Sequence, residues 1–394
     1  MVLNTIKFSK CYRNLKSFLN VLIYVDNSKN RGFYKIVEIF HETDGNINLL
    51  KTKTISIIGY GNQGRAQALN LRDSGLNVVI GNIDDKYKKI AEKDNFPIYP
   101  IKEAVSKSDI VFVLIPDEIM KDVFEEEISN HLKPNSSIVF ASGYNIGFNL
   151  ILAPKNINVM LLAPRMIGVG VRENFLNGNS FFSFIGIDQN YTGDAKEILL
   201  ALAKGIGTLK KGAIMLSFKQ EAELDLFNEQ GFGPAFGRVL LSAIYTLIEA
   251  GYPPEAALIE MYMSNEMSYT YKKMADIGLI KQVDFHSQTS QYGAMSRGIR
   301  YRKLPLKPIM KEILKEIQEG EFTREWSNKM TKLKFKAIKF FATKQKINKI
   351  EREVRKSLKL TLYDIYDINS PTNEELTKLK SISDELKLFE QYYE

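Results

Sequence analysis

The sequence has few of the residues that build disulfide frameworks and zinc sites. Its 394 residues include one cysteine, Cys11, and three histidines, His41, His131 and His286. A single cysteine excludes a disulfide within the chain and any Cys-based metal cluster, and it favours a reducing, cytoplasmic compartment. No uninterrupted apolar run approaches the roughly 18–20 residues that cross a bilayer, so we expect no membrane partner.

The sequence also lacks an acidic balance, because its formal net charge is +8. Much of the positive charge lies near residues 331–360, in TKLKFKAIKFFATKQKINKIEREVRKSLKL. A nucleic-acid surface is one interpretation of this segment. Its apolar residues recur at helical spacing, however, and no recognisable nucleic-acid module accompanies them, which favours the solvated face of a lysine-rich helix. We therefore expect no nucleic-acid partner.

Short apolar runs alternate with helical patterns up to about residue 218. The predicted strands are TISII (54–58), NVVIG (77–81), DIVFVLIP (109–116), SSIVFASG (136–143), NVMLLAP (158–164) and SFFSFIGI (180–187). Apolar strands joined by helices predict an α/β domain with a Rossmann-type, doubly wound parallel sheet. Long helical patterns follow and predict an all-α domain. We therefore divide the chain into a weakly structured extension (1–35), a dinucleotide-binding domain (36–218), a helical domain (219–357) and a tail with a helix (358–394).

A glycine-rich turn joins the first of these strands to a helix predicted over about residues 64–73. Gly59, Gly61 and Gly64 form the pattern G-x-G-x-x-G, which is specific when it lies between a strand and a helix. Gly59 permits the turn, Gly61 lets the backbone approach a pyrophosphate, and Gly64 lets the helix pack closely on the strand. The predicted contacts to a dinucleotide in this turn are Gly59, Tyr60, Gly61, Asn62, Gln63 and Gly64.

The loop after the second strand bears on the choice of cofactor. It reads GNIDDKYKK, and Asp84 stands 25 residues after Gly59, near the position where a carboxylate binds the ribose hydroxyls of NAD. No arginine stands at the end of that strand to receive the 2′-phosphate of NADP. Lys86, Lys88 and Lys89 follow, so both cofactors stay open, with NADH favoured over NADPH.

The chain resembles ketol-acid reductoisomerase in several words that occur in the same order. They are GYGNQGRAQALNLRDSG, LIPDE, AP-x-x-x-G-x-x-VR, FKQEAELDLFNEQ, and IQEGEF followed by EW, and they fall within residues 36–357. The resemblance implies an oxidoreductase of branched-chain amino acid synthesis, which isomerises an acetohydroxy acid of the 2-acetolactate type on Mg²⁺ and reduces the product with NAD(P)H. It also implies a homodimer or larger homo-oligomer, because shorter family members complete the helical domain with a second subunit.

The same resemblance implies a set of site residues. Asp225 and Glu229 in DLFNEQ match two metal ligands of the family, and carboxylates are suited to Mg²⁺. Glu260 in AALIEMY matches a third ligand, which the family takes from the second subunit. Ser287 in HSQTSQYG matches a serine that contacts the substrate. Glu229 is expected to take part in catalysis as well as in metal binding.

Three positions depart from the family. Ser142 in FASGY stands where the family has a histidine, Arg165 replaces a lysine after AP, and Ser264 replaces a fourth glutamate ligand. Glu266 lies nearby, but on a continuous helix it would point about 200° away from the ligand face. Arginine cannot shuttle protons near neutral pH, and Ser142 cannot act as a base alone. We expect Ser142 and Arg165 to be catalytic positions and a second Mg²⁺ to bind weakly.

These departures leave three functions open. The first is the full isomerisation and reduction. The second is an NAD(P)H-dependent reductase of a related 2-keto acid without isomerisation, because hydride transfer needs only the cofactor, a substrate clamp and one electrophile. The third is a non-catalytic dinucleotide-binding paralogue, and the retention of Asp225, Glu229 and Glu260 argues against it.

Overall fold

The computed structural model describes residues 37–360, which form two compact units. The first unit ends at Phe227 and the second begins at Asn228, so the division falls inside a helical run, Phe218–Glu249. The domain boundary expected from sequence, between residues 218 and 219, stands at the start of that run. The expected extension (1–35) and nearly all of the expected tail (358–394) lie outside the described residues.

The first unit is built on one sheet, which has nine strands within residues 37–360. In chain order they are β1 (Ile39–Phe40), β2 (Thr54–Ile58), β3 (Asn77–Gly81), β4 (Ile98–Tyr99), β5 (Ile110–Val113), β6 (Ser137–Phe140), β7 (Asn158–Pro164), β8 (Phe182–Gln189) and β9 (Gly212–Met215). Their order across the sheet is β1-β9-β8-β7-β6-β5-β2-β3-β4. The strands from β2 to β7 pair in parallel, which confirms the predicted Rossmann-type sheet.

Two pairings in this sheet are antiparallel, and the sequence did not indicate them. β8 runs antiparallel to β7, and β1 runs antiparallel to β9. Apolar runs mark where a strand lies but carry no information about its direction, so a purely parallel sheet was the simplest expectation. The strands β1 and β4, with two residues each, and β9, with four, were not predicted.

Helices cover both faces of the sheet. They are α1 (Asn62–Asp73), α2 (Lys86–Lys93), α3 (Ile101–Lys107), α4 (Asp117–Val123), α5 (Tyr144–Gly147), α6 (Gly168–Leu176), α7 (Ala195–Ile206) and α8 (Phe218–Phe227). Successive side chains of a strand point to opposite faces, so Ile57 packs in one apolar cluster with Leu71 while Ile58 packs in the other with Phe140. Burial of each such side chain contributes about 1.5–3 kcal/mol, and this apolar packing fixes the strand ends that carry the site.

The second unit is helical, as predicted. Its helices are α9 (Gly233–Glu249), α10 (Pro254–Leu258), α11 (Glu266–Ile277), α12 (Gln288–Gly298), α13 (Leu306–Gln318), α14 (Glu321–Trp326), α15 (Lys329–Thr343) and α16 (Lys346–Ser357). The lysine-rich segment forms α15 and α16. Two π-helical turns, Asn228–Phe232 and Ile259–Met263, precede α9 and α11.

The continuous helix that was assumed to carry both Glu260 and Glu266 is broken between them. The π-helical turn ends at Met263, Asn265 has a φ of +64° in the left-handed region, and α11 begins at Glu266. Asparagine tolerates this conformation better than most residues because its short polar side chain can hydrogen-bond locally. The assumption of one continuous helix is therefore wrong, and Glu266 is not fixed on the far side of a single helix from Glu260.

The helical run Phe218–Glu249 has an unusual surface. Among residues 37–360 it alone is long and apolar enough, by length and composition, to cross a membrane, and only 11% of its most apolar window is buried. It also carries Glu221, Asp225 and Glu229 near its beginning. An apolar face on a helix that bears charged side chains also suits contact with another protein surface.

Candidate cofactor and active site

The glycine-rich turn lies at the carboxyl end of β2, where α1 begins. Gly59 has a φ of +91°, and a Cβ there would lie 2.7 Å from Ile115 Cγ2 and 2.8 Å from the carbonyl oxygen of Leu114. At Gly64 a Cβ would lie 2.0 Å from the carbonyl oxygen of Gly59, so close packing of helix on turn requires glycine. At Gly61 a Cβ would meet no protein atom within 4 Å, which leaves that side of the turn open to a ligand.

A cavity of about 590 Å³ opens beside this turn. Gly59, Tyr60, Gly61, Asn62 and Gln63 line it, and the loop after β3, the start of α4 and Ser142 complete the lining. Parallel α/β sheets bind ligands at the carboxyl ends of their strands, which is where the cavity lies. Its volume falls within the usual range of about 300–1,000 Å³ for small-molecule sites.

The two aspartates of the loop after β3 have different surroundings. The side chain of Asp84 is 87% exposed, and its Oδ1 lies 3.2 Å from Lys88 Nζ. Asp85 lines the cavity and caps α2, because its Oδ1 accepts two backbone N–H groups of that helix and also accepts from Asn82 Nδ2 at 2.8 Å. Asn82 Oδ1 in turn accepts the N–H of Tyr60 at 3.1 Å. This network fixes the loop relative to the glycine-rich turn.

The buried side chain of Tyr60 holds the glycine-rich turn in place. It is 1% exposed, and its hydroxyl donates to Asp94 Oδ2 at 2.9 Å. Arg65 Nε donates to the same oxygen at 2.7 Å, and Arg65 Nη2 donates to Asp94 Oδ1 at 3.1 Å. Burial and the Asp94 carboxylate both raise the pKa of Tyr60, so its hydroxyl stays a proton donor in this contact.

A cluster of one guanidinium and two carboxylates lies beyond the carboxyl ends of β6 and β7. The guanidinium of Arg165 binds two carboxylates: its Nη1 lies 2.7 Å from Glu221 Oε1, and its Nη2 donates to Asp225 Oδ1. Glu221 is 1% exposed, and its Oε2 accepts the N–H of Gly143 at 2.6 Å. Gly143 directly follows Ser142, which lines the cavity. The carboxylate and guanidinium cluster therefore adjoins the candidate cofactor cavity.

The local sequence explains how this cluster is held. Glu221 and Asp225 are four residues apart on α8, so their side chains share a helix face and reach one guanidinium fork. A Cβ on Gly143 would lie 2.1 Å from the carbonyl oxygen of Phe218, so α8 packs directly on the turn after β6. Burial raises the pKa of Glu221 to about 7, although the Gly143 N–H and Arg165 favour its ionised form.

Ser142 has two further contacts within the first unit. Its Oγ lies 3.4 Å from Asp117 Oδ2, as a donor, and accepts the N–H of Tyr144 at 3.2 Å. Asp117 begins α4 and also lines the cavity, and its Oδ1 accepts from Asn145 Nδ2 at 2.8 Å. Burial raises the pKa of Asp117 to about 6.

Two expected metal ligands lie in the π-helical turns of the second unit. Glu229 belongs to the turn Asn228–Phe232 and Glu260 to the turn Ile259–Met263, and both side chains are exposed. Such turns occur frequently at functional sites. Within residues 37–360 no group of three or more His, Cys, Asp or Glu side chains lies close enough together to hold a metal ion.

The two serines of the second unit that the sequence singled out, Ser264 and Ser287, are hydrogen-bonded at helix starts. Ser264 Oγ accepts the N–H of Glu266 at 3.3 Å. Ser287 is the N-cap of α12, and its Oγ accepts the N–H of Ser290 at 3.3 Å. The structure therefore brings Ser142, Arg165 and Asp225 together in the first unit, and it places Glu229, Glu260 and Ser287 in the second.

Sequence reasoning missed several residues of the first unit. Glu221 lies one helical turn before Asp225 in FKQEAELDLFNEQ, and Asp117 lies in LIPDE, so both stood inside words already singled out. Asp85 could have been recognised as a helix N-cap, because it directly precedes the first residue of a lysine-rich helical pattern. The role of Asn82 had no signal in the sequence.

Two family descriptions match consecutive parts of the chain. Residues 49–212 match the acetohydroxy acid isomeroreductase, NADPH-binding domain, and residues 218–360 match the ketol-acid reductoisomerase, C-terminal domain. The putative ketol-acid reductoisomerase 3 of Saccharolobus solfataricus is 43% identical over 288 residues, which cover 72% of this chain and 86% of that protein. The ketol-acid reductoisomerase (NADP(+)) of Petrotoga mobilis is 41% identical over 307 residues, which cover 77% of this chain and 92% of that protein.

Solved structures give the same result. A structure of an NADH-preferring ketol-acid reductoisomerase from an uncultured archaeon matches with a TM-score of 0.76 and 33% identity, over 81% of this chain and 98% of that one. A putative oxidoreductase from Jannaschia sp. CCS1, with a TM-score of 0.53 and 14% identity, shares the fold alone. The chain therefore belongs to the ketol-acid reductoisomerase family, and it is an NAD(P)-dependent oxidoreductase.

Proposed function

We propose that the protein is a ketol-acid reductoisomerase that uses Mg²⁺ and NAD(P)H to isomerise and reduce an acetohydroxy acid of the 2-acetolactate type, in branched-chain amino acid synthesis. The main support for this proposal is the pair of adjacent residues Ser142 and Gly143. Ser142 lines the candidate cofactor cavity, and the N–H of Gly143 binds Glu221, which pairs with Arg165. The cavity therefore adjoins a group of one cation and two carboxylates that could act on a substrate.

Arg165 is the substrate clamp in this proposal. Its planar guanidinium carries a positive charge and can bind a carboxylate or a developing alkoxide through two N–H groups. Its contacts with Glu221 and Asp225 already hold the group in place, so little reorganisation is needed during the reaction. A bound reduced nicotinamide would supply the hydride, and Arg165 would stabilise the negative charge that develops on the substrate oxygen.

Mg²⁺ is the metal that suits the candidate ligands, because all of them are carboxylates. Asp225, Glu229 and Glu260 would hold it, and the last two have exposed side chains. Asp225 is shared with Arg165, and a serine, Ser264, stands at the fourth ligand position. We therefore propose one firmly bound Mg²⁺ and a weak or absent second ion. A bound ion would polarise the ketol oxygens as a Lewis acid.

We propose that NADH binds more tightly than NADPH. Asp84 and Asp85 both follow β3, and either carboxylate would repel the 2′-phosphate of NADP. Asp85 supports this choice more strongly than sequence reasoning allowed, because it lines the cavity and is fixed as the cap of α2. One solved relative is named as NADH-preferring, whereas the Petrotoga mobilis relative is named for NADP(+).

We propose that a second copy of the chain covers the apolar surface of the second unit. A groove of about 830 Å³ lies between α9 and α13, and it is lined by Val239, Leu306 and Ile309, which are 55%, 42% and 49% exposed. A homodimer or larger homo-oligomer would bury these side chains, and Glu260 would then serve the site of the other subunit. Ser287 is the proposed substrate contact from this unit, and the cytoplasm is the proposed location, with no nucleic-acid or membrane partner.

A second candidate function is the reduction of a related 2-keto acid without isomerisation. The pairing of Arg165 with Asp225 favours it, because the guanidinium competes with Mg²⁺ for that carboxylate. Ser142 and Ser264 also favour reduction without isomerisation, since neither supplies the acid–base or ligand chemistry of the family residue it replaces. Reduction itself needs a cofactor cavity and a substrate clamp, and this chain has the cavity and offers Arg165 as the clamp.

The test is oxidation of NADH or NADPH by purified protein with Mg²⁺ and 2-acetolactate. We expect turnover, and we expect Asp225→Asn to abolish it, because the change removes a ligand and a partner of Arg165. Glu223→Gln is the matched control, since Glu223 lies on the same helix and pairs with Lys219 at 3.9 Å instead. Turnover by Asp225→Asn at the unmodified rate would rule out the proposed ligand role, and no turnover by the unmodified protein with any 2-keto or acetohydroxy acid would rule out the function.

A further inference from the structure

Asp117 is a carboxyl group in the cofactor cavity that the proposed reaction has not used. It is the first residue of α4, four positions after the last residue of β5, and it lines the same cavity as the glycine-rich turn and Ser142. Both of its oxygens have partners, Asn145 Nδ2 at 2.8 Å and Ser142 Oγ at 3.4 Å. The amide of Asn145 fixes one oxygen and leaves the other turned toward the serine hydroxyl.

The surroundings of Asp117 keep a proton on it more readily than on an exposed aspartate. Burial is the main cause, and Glu118 on its own helix and Asp225 on α8 act in the same direction, so the pKa rises to about 6. Asn145 and Ser142 oppose the shift by hydrogen-bonding the ionised form. Within residues 37–360 no lysine or arginine forms an ion pair with Asp117, and Arg165 pairs with Glu221 and Asp225 instead.

Ser142 gains a chemical role from this neighbour. A serine hydroxyl alone neither holds nor releases a proton usefully near neutral pH, but beside a carboxyl group it can pass one on. The contact of 3.4 Å is long, and such contacts commonly shorten when substrate closes the site. Because Ser142 follows β6, its hydroxyl lies where the nicotinamide half of a dinucleotide is expected in this fold.

We propose that Asp117 and Ser142 form a proton relay to the substrate oxygen during reduction. Hydride leaves the reduced nicotinamide with its electron pair and bonds to the carbonyl carbon, and the C=O π pair moves onto oxygen. That oxygen takes the proton of the Ser142 hydroxyl, and Ser142 takes the proton held by Asp117. The products are the oxidised cofactor, the alcohol and an Asp117 carboxylate, which solvent reprotonates. The inference rests on the proposed reduction, and it assigns to this pair a step that neither Ser142 alone nor Arg165 can perform.

The pH profile of kcat tests the relay, with a preformed 3-hydroxy-2-keto acid as substrate and NADH saturating. We expect kcat of the unmodified protein to fall about tenfold per pH unit above a pKa near 6, because the acid form of Asp117 is needed. Asp117→Asn should lower kcat by about 10²–10⁴-fold and remove that limb, with the Kd for NADH unchanged. Glu118→Gln removes a neighbouring carboxyl that makes no contact with Ser142, so it should keep the limb and the rate below it, and should only move the midpoint slightly lower.

Two further variants separate the relay from a structural role. Ser142→Ala should also lose the limb, whereas Asp117→Glu should restore it with a shifted midpoint. Thermal melting and NADH fluorescence titration of each variant confirm that the fold and the cavity are intact. An unchanged limb in Asp117→Asn would overturn the relay while leaving the proposed function standing. No reduction by the unmodified protein would overturn the proposed function, and the relay with it.

Discussion

The glycine-rich turn allows the same substitution to be tested in two opposite settings. Gly61→Ala places a methyl group where no protein atom lies within 4 Å, whereas Gly64→Ala places one 2.0 Å from a backbone oxygen. Backbone cannot give way as a flexible side chain does, so overpacking at Gly64 should cost about 3 kcal/mol. The better helix propensity of alanine offsets up to about 1 kcal/mol of this. At Gly61 the change in unfolding free energy should stay within about 0.5 kcal/mol.

These values translate into distinct results in two assays. For a unit of this size, about 2–4 °C of Tm is lost per kcal/mol, so Gly64→Ala should melt roughly 4–12 °C lower and Gly61→Ala within about 2 °C of the unmodified protein. Fluorescence titration should show the larger effect on NADH binding at Gly61. Gly61→Ala should raise the Kd for NADH at least about tenfold, which corresponds to about 1.4 kcal/mol of binding free energy. An unchanged Kd for NADH in Gly61→Ala would refute the placement of the pyrophosphate, and an unchanged Tm in Gly64→Ala would refute the packing argument.

Three further predictions concern the cofactor, the metal and the assembly. NADH should bind more tightly than NADPH, and Asp84→Arg or Asp85→Arg should move the preference toward NADPH by fluorescence titration; a clear NADPH preference in the unmodified protein would contradict the carboxylate argument. Ser264→Glu should strengthen Mg²⁺ binding measured by calorimetry, because it adds a fourth carboxylate, and Ser264→Gln is the uncharged control. Light scattering at micromolar concentration should give a dimer or larger multiple, and a monomer would leave Val239 and Ile309 without the cover proposed for them.

Much of the fold was readable from local sequence, and the reasons are local. TISII and NVVIG are short runs rich in β-branched residues, and both appear as strands with the bounds expected. The direction of β8 and the break at Asn265 were not readable. Strand direction depends on pairing between distant segments, and Asn265 adopts a left-handed conformation that asparagine permits but does not require.

Part of the candidate site was likewise predictable from the sequence, and part was not. The glycine-rich turn was predictable because its three glycines act on neighbouring backbone. The contact between Arg165 and Glu221 joins residues 56 positions apart, and nothing in FKQEAELD distinguishes the buried Glu221 from the half-buried Glu223 and Asp225. Asp84 was chosen over Asp85 by spacing alone, and the structure shows that Asp85, the N-cap of α2, is the one that lines the cavity.

The central claim is that the cofactor cavity and the Arg165 cluster form one site that reduces a 2-keto acid. The most direct measurement is the rate of NADH oxidation in saturating Mg²⁺, with 2-acetolactate compared against its isomerised 3-hydroxy-2-keto acid. We expect oxidation with both substrates and a faster rate with the keto acid, because Arg165 and Ser142 serve reduction better than alkyl migration. Absence of oxidation with either substrate, with NADPH tested alongside NADH, would contradict the claim.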